Sequence, residues 1–201
     1  MIRARPFTSR DAAREAMMFD LETPRLRLRP LATGDVPELA AMLADPEVMR
    51  YSLRGVCDEM ATRVFLDWCF DCYINHRTGP LALVDKDERN FVGFCGVSPE
   101  RVKGTAELSL GYRLARRYWG QGLATEAATA VLGHAFEDRR FDSVVAIVEP
   151  EHKASLRVAE KVGFERFEAS EFHQRPVCLS RMRRSQWQQR SNVVASEAGV
   201  D

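Results

Sequence analysis

Arg116-Arg117-Tyr118-Trp119-Gly120-Gln121-Gly122-Leu123-Ala124-Thr125-Glu126-Ala127 is the stretch that decides the fold, because it turns a strand into a glycine-punctuated turn and then a helix. Upstream, residues 105–114 alternate polar and apolar side chains with the two-residue period of a strand. Downstream, Leu123, Ala127, Ala130, Val131 and His134 recur at helical spacing. The first amides of a helix have no intrahelical partner, and the helix dipole favours negative charge beside them. Gly120 and Gly122 let a ligand approach that backbone without a Cβ in the way. The segment therefore predicts an anion site, with a phosphate-bearing ligand as the first hypothesis.

Working outward, the strand over 105–114 places Ala106, Leu108, Leu110, Tyr112 and Leu114 on one face and Thr105, Glu107, Ser109, Gly111 and Arg113 on the other. A strand of that length is expected to bend at a bulge. A polar loop with Pro99 and Gly104 precedes it, after a β-hairpin formed by residues 80–85 and 91–97. Beyond the organising helix, Ser143-Val144-Val145-Ala146-Ile147-Val148 is continuously apolar, as expected of a strand covered on both faces and paired in parallel with the long strand. Residues 152–162 predict a short helix stopped at Gly163, and residues 164–169 and 177–182 a last pair of strands.

Nearer the start, Arg25-Leu26-Arg27-Leu28-Arg29-Pro30-Leu31 alternates as a strand ending at an edge. Asp35 and Glu38 read as a capping box for a helix with Val36, Leu39, Ala40 and Leu43 inside. A second helix is expected from Asp58, burying Ala61, Val64, Phe65, Trp68, Cys69 and Cys72. The pattern is one α/β domain (α+β with a mixed sheet) over residues 23–187. Residues 1–22 read as a flexible lead-in and residues 188–201 as a flexible tail.

Composition limits the partners. The 29 basic and 29 acidic residues cancel, so no global field points to nucleic acid or an anionic membrane. No apolar run approaches the roughly 20 residues that cross a bilayer, and the first residues lack the core of a signal peptide. The 5 cysteines lack framework spacing and suit a reducing compartment, so a cytoplasmic protein is expected, as monomer or homodimer.

Arg117-Tyr118-Trp119-Gly120-Gln121-Gly122 resembles the [RQ]-x-x-G-x-[GA] signature of GNAT N-acetyltransferases, and its surroundings resemble the RimJ/RimL-type subgroup. That subgroup shows a Leu-Arg-Leu-Arg-Pro-Leu opening, a Gly-Tyr-Arg-Leu strand end, Tyr-Trp-Gly-Gln-Gly-x-Ala-Thr-Glu-Ala, and a late Ala-Ser ahead of Lys-x-Gly-Phe. Here these fall at residues 26–31, 111–114, 118–127 and 154–164, in the same order. The resemblance implies a central splayed mixed sheet flanked by helices, and acetyl-CoA as the cosubstrate. It implies that the amides of Trp119, Gly120, Gln121, Gly122, Leu123, Ala124 and Thr125 hold the pyrophosphate, helped by Arg116 or Arg117. The edge of Tyr112, Arg113 and Leu114 would then pair with the pantetheine arm.

The resemblance also implies acetyl transfer to a primary amine, either a protein N-terminus or a small molecule such as an amino acid, polyamine or antibiotic. A protein N-terminus is the preferred acceptor, because its unperturbed pKa of about 7.7–8.0 leaves far more neutral amine at pH 7 than lysine near 10.4. Ser155 aligns with the family's serine beside the departing sulfur; the other reading is a first-turn serine that satisfies helix amides. Glu107 is the candidate base, although the family's frequent acid would fall at position 109, which is Ser109; Glu107 reads equally as a solvated surface acid. His152 stands where the family has asparagine, either to contact the pantetheine or to cap its helix. Ala159 replaces the family's tyrosine, removing that phenol. These departures keep a non-catalytic acyl-CoA-binding module as the alternative.

Other readings are weaker. Gly120-x-Gly122 begins a dinucleotide fingerprint but continues to Thr125, and no Gly-Lys-Ser/Thr loop is present. Cys69, Cys72 and His76 line up along one helix, yet both cysteines fall in its apolar stripe and no fourth ligand is evident, so no metal is expected. His134 reads as a packed residue.

Overall fold

The computed structural model describes residues 20–198; residues 1–19 of the expected lead-in lie outside the described residues. The strands are β1 (Leu21–Glu22), β2 (Leu26–Pro30), β3 (Pro80–Asp85), β4 (Phe91–Val102), β5 (Thr105–Leu114), β6 (Ser143–Val148), β7 (Glu168–Phe172) and β8 (Arg175–Arg183). The helices are α1 (Val36–Leu43), α2 (Pro46–Met49), α3 (Glu59–His76), α4 (Leu123–Gly133), α5 (Lys153–Val162) and α6 (Arg184–Ala198). One mixed sheet runs in the order β1-β2-β3-β4-β5-β6-β8-β7. Every neighbouring pair is antiparallel except β5 and β6, which are parallel and share a single registered pair, Ser109 with Val145. That is the splay.

Alternation assigns the two faces. Arg113 lies opposite Phe94 across β4 and β5, and Phe94 packs on Phe65 of α3 with ring centroids 5.1 Å apart, so Ser109 and Arg113 share the α3 side. Tyr112 points the other way and reaches Ser155 of α5. The core joins Leu26, Leu28 and Leu83 of the sheet to Leu39 and Leu43 on one side and Leu132, Val131 and Phe164 on the other.

Several expectations are corrected. Asp35 does not cap α1: its carboxylate pairs with Arg29 at 2.6 and 2.7 Å and accepts the Ala32 amide, because a short 3-10 turn intervenes. Val64 is 54% exposed, since the buried line of α3 runs through Thr62, Phe65, Leu66, Cys69, Cys72 and Tyr73, about a quarter-turn away. Asp58 caps that helix as expected, accepting from the Ala61 amide at 2.7 Å.

The loop around Pro99 is strand instead. β3 pairs with β4 only as far as Gly96, so Pro99 lies where the missing N–H removes no ladder bond. The turn shrinks to Lys103 and Gly104, both at positive φ, which suits the twist of a two-residue hairpin. That turn keeps β4 and β5 in unbroken register, and the irregularity appears between Leu83 and Val84 in place of the bulge expected in β5.

After Gly163 (φ 105°) the chain folds back, with the Phe164 amide bonded to Ala159 O, and Phe164 enters the core. The last hairpin therefore begins later than expected. Residues 188–198 of the expected tail belong to the helix Arg184–Ala198, and residues 199–201 lie outside the described residues. Trp187 anchors that helix, buried against Phe136 with its Nε1 donating to Glu137 at 2.8 Å. At the other end, Leu21 and Glu22 pair with β2, so the ordered sheet begins before Thr23.

Candidate active site

The turn after β5 leaves its backbone donors unpaired. Tyr118 N and Trp119 N close a 3-10 turn onto Ala115 O and Arg116 O, which commits the Trp119 amide. From Gly120 to Thr125 no amide finds an acceptor among the described residues; the first engaged is that of Glu126, bonded to Gly122 O at 3.1 Å. Gly122 is the N-cap and supplies no side chain, while Gly120 and Gly122 sit at φ 75° and 78°, a conformation side-chain-bearing residues rarely adopt. A run of free amides at an uncapped helix start is an anion receptor.

Arg25 holds this receptor to the sheet. Glu126 accepts from the Thr23 hydroxyl at 2.6 Å, from the Arg25 amide at 2.9 Å and from Arg25 Nε at 2.7 Å, while Arg25 Nη1 donates to Gln121 O at 2.9 Å. Burial raises the Glu126 carboxyl, but the bonds from Thr23 and Arg25 outweigh it and leave its pKa below the usual range. Arg25 and Glu126 are 101 positions apart, and no local pattern signals that pairing. By contrast, Arg117 donates to Phe91 O at 3.4 Å and covers the Tyr118 ring, and Arg116 lies 4.0 Å from Asp45. Trp119 Nε1 takes Leu114 O at 2.7 Å, which removes that carbonyl from the free strand edge.

At the splayed end of β5, the Tyr112 hydroxyl lies 2.7 Å from Ser155 Oγ and donates to Ser155 O at 3.1 Å. Burial pushes the phenol well above its usual pKa, against the Ser155 bond, so it is a neutral donor. Ser155 is thus paired with a side chain rather than capping amides. The phenol lost at Ala159 has a counterpart at Tyr112, whose strand register alone could have announced it.

His152 occupies the N-cap position of α5 but makes no capping bond; its ring stacks on Tyr51 at 4.1 Å. Burial, then Arg113, lowers its pKa against Glu149, so it is neutral near pH 7.

The geometry does not favour Glu107 as a base. Arg181 grips its carboxylate at 2.6 and 2.5 Å, and that bond holds its pKa below the ordinary range. Directly opposite on β4, and on the same face, Glu100 makes no hydrogen bond or ion pair among the described residues. Burial raises its pKa against the opposing effects of His173 and Arg54. Sequence reading missed Glu100 because only register places it there.

Cys69 and Cys72 are buried, and burial pushes the Cys72 thiol up to about 11. Among the described residues no group of His, Cys, Asp or Glu is placed to hold a metal.

Residues 25–165 match the family model described as acetyltransferase (GNAT) domain. The chain belongs to the GNAT acetyltransferase family. It is 38% identical over 144 residues to the uncharacterised YkkB protein of Bacillus subtilis (strain 168), covering 71% of this chain and 83% of that one. An acetyltransferase structure from Agrobacterium tumefaciens superposes with a TM-score of 0.71 at 24% identity, over 90% of this chain and 96% of that one. A RimL ribosomal L7/L12 α-N-protein acetyltransferase in complex with coenzyme A superposes at 0.68 with 17% identity, over 82% and 97%. At those identities the two structures speak for the fold alone. As a GNAT member the chain is an acyltransferase that works with acetyl-CoA. The free amides and glycine conformations of the turn fit that cosubstrate's pyrophosphate, and the opened edge of β5 fits its extended, amide-bearing arm.

Proposed function

We propose that this GNAT enzyme transfers the acetyl group to a primary α-amine, of a peptide N-terminus or of an amino acid, by direct attack in a ternary complex, and that it works in the cytoplasm. The observation that carries the reading is the Tyr112–Ser155 hydroxyl pair, at the open end of the β5–β6 seam and one short turn from the anion receptor. The amides of residues 120–125 bind the pyrophosphate, and the edge around Tyr112 and Arg113 aligns the arm. His152, on its stack with Tyr51, closes the side of the groove.

The N–C bond forms as the C–S bond breaks. The amine's proton leaves through water towards Glu100, and the departing thiolate takes a hydrogen bond from the Ser155–Tyr112 pair and its proton from solvent water, so both hydroxyls keep their protons. Holding both reactants in one groove lowers such a barrier by up to about 7–11 kcal/mol, so the side-chain contributions are secondary. Placement in the RimJ/RimL-type subgroup is supported by the order of the motifs at residues 26–31, 111–114, 118–127 and 154–164. One observation favours a second reading, a non-catalytic acyl-CoA-binding module: Glu107 is tied up by Arg181. Calorimetry with acetyl-CoA followed by thiol release over an amine panel separates them. Tight binding without release for any amine selects the second reading, and no binding rejects both.

A further inference from the structure

The side chain of Arg113 has no polar partner among the described residues. It is partly buried, and among the described residues it makes no hydrogen bond and no ion pair; its Cζ rests 5.9 Å from the centre of the Phe94 ring. Burial depresses its pKa, against Cys57, yet a guanidinium keeps its charge at any pH a protein meets. A second cation, without a hydrogen bond or ion pair among the described residues, stands close by: Arg50 covers the Tyr51 ring at 5.6 Å, and Tyr51 is stacked on His152, which itself feels the Arg113 charge. The α3 side of the seam thus presents two guanidiniums and a neutral imidazole, with no carboxylate of the described residues bound to either cation.

A partly buried cation without a counter-ion leaves a place for the anionic group of a ligand. The cosubstrate's pyrophosphate already has its receptor in the turn after β5. Arg113 projects from the sheet face opposite to Tyr112 and Ser155, towards the loop that carries Tyr51 and Cys57. An acceptor entering the seam from that side would meet this cation. Arg113 follows Tyr112 along the strand but faces the other side of the open seam, so an acceptor that pairs with Arg113 would present its amine across that seam to the thioester. We propose that the acceptor is an α-amino acid, or a close analogue, whose carboxylate pairs with Arg113 while its amine faces the thioester. The guanidinium fork matches a carboxylate in two parallel bonds. This rests on the acetyl-transfer reading above.

The test compares α-amino acids with their carboxamides as acceptors in the thiol-release assay, alongside calorimetry of acetyl-CoA binding. In the unmodified enzyme the free acid is expected to exceed its carboxamide by about 10- to 100-fold in kcat/KM. Arg113→Gln changes the side chain and keeps the backbone edge that aligns the arm; it is expected to bring the acid-to-carboxamide ratio near one with little change in acetyl-CoA affinity, and Arg113→Lys to restore part of the ratio. Equal use of acid and carboxamide by the unmodified enzyme overturns the inference without touching the acetyltransferase reading. Weakened acetyl-CoA binding in Arg113→Gln, with the acceptor ratio intact, assigns the counter-ion to the cosubstrate's phosphates and overturns it too. Acetyl-CoA binding with no acceptor turned over rejects both readings together.

Discussion

At the scale of single residues, the site rests on hydroxyls and carboxylates whose neighbours decide what they can do. Ser155→Ala is expected to lower kcat by roughly 10²-fold while acetyl-CoA affinity stays nearly constant. Tyr112→Phe should do the same less severely, and the double variant should lose less than the product of the two, because the hydroxyls act as a bonded pair. Unchanged turnover in Ser155→Ala removes its role. The two glutamates facing each other across β4 and β5 make opposite predictions. Glu100 has a raised pKa, so the folded protein holds its proton more tightly than the unfolded chain. It therefore subtracts stability as pH rises from the unfolded value of about 4.3 through its folded value. Glu100→Gln should raise Tm at pH 7 while lowering kcat/KM at least about tenfold and flattening its acidic limb. Glu107, lowered by Arg181, adds stability above the unfolded pKa and loses it as pH falls through the folded one. Glu107→Gln should cost at most about 1 kcal/mol, given an Arg181 side chain 37% exposed, and should leave the pH–rate profile unchanged. A profile altered by Glu107→Gln and not by Glu100→Gln would reverse the assignment.

At the scale of elements, the anion receptor is a loop held by a strand distant in sequence. Arg25 ties β2 to the first turn of α4 through Glu126 and to the loop through Gln121 O. Arg25→Ala should weaken acetyl-CoA binding about five- to tenfold, equivalent to roughly 1 kcal/mol for a half-exposed pair, with little effect on the acceptor KM. An unchanged acetyl-CoA dissociation constant would show that the loop keeps its shape unaided. Since Glu126 has a lowered pKa, its contribution is present above the unfolded carboxylate range and fades as pH falls through its folded value. The Tm gap between the parent and Glu126→Gln should therefore narrow towards acid. Gly93 is a second structural dependency. A Cβ there would lie 2.1 Å from Arg113 O and 2.7 Å from Leu114 Cα, so any side chain displaces the strand end that carries Tyr112. Gly93→Ala should accordingly lower both stability and activity, as read by melting and thiol release.

At the scale of the whole molecule, the parts legible in sequence were those governed by local period and local turn chemistry. The strands β2, β3, β5 and β6, the helices α1, α3, α4 and α5, and the Gly163 stop follow from alternation, helical spacing and glycine. What was not legible depends on partners far along the chain. Trp187 finds Phe136 and turns an aperiodic polar stretch into α6. Arg181 captures Glu107, and Glu100 is brought opposite it only by the register of a hairpin that Lys103 and Gly104 close. Trp187→Ala should cost about 3 kcal/mol and lower Tm by roughly 6–12 °C, as read by thermal melting, because it removes a buried ring and orphans Glu137. The seam between β5 and β6 has a further consequence. One backbone bridge joins a five-stranded half-sheet to a three-stranded one, so at the seam the halves are held by the shared core rather than by the backbone ladder. A molecule lying along that seam would supply the backbone-type bonds that the ladder lacks there, and would stiffen the junction by acting as a substitute strand.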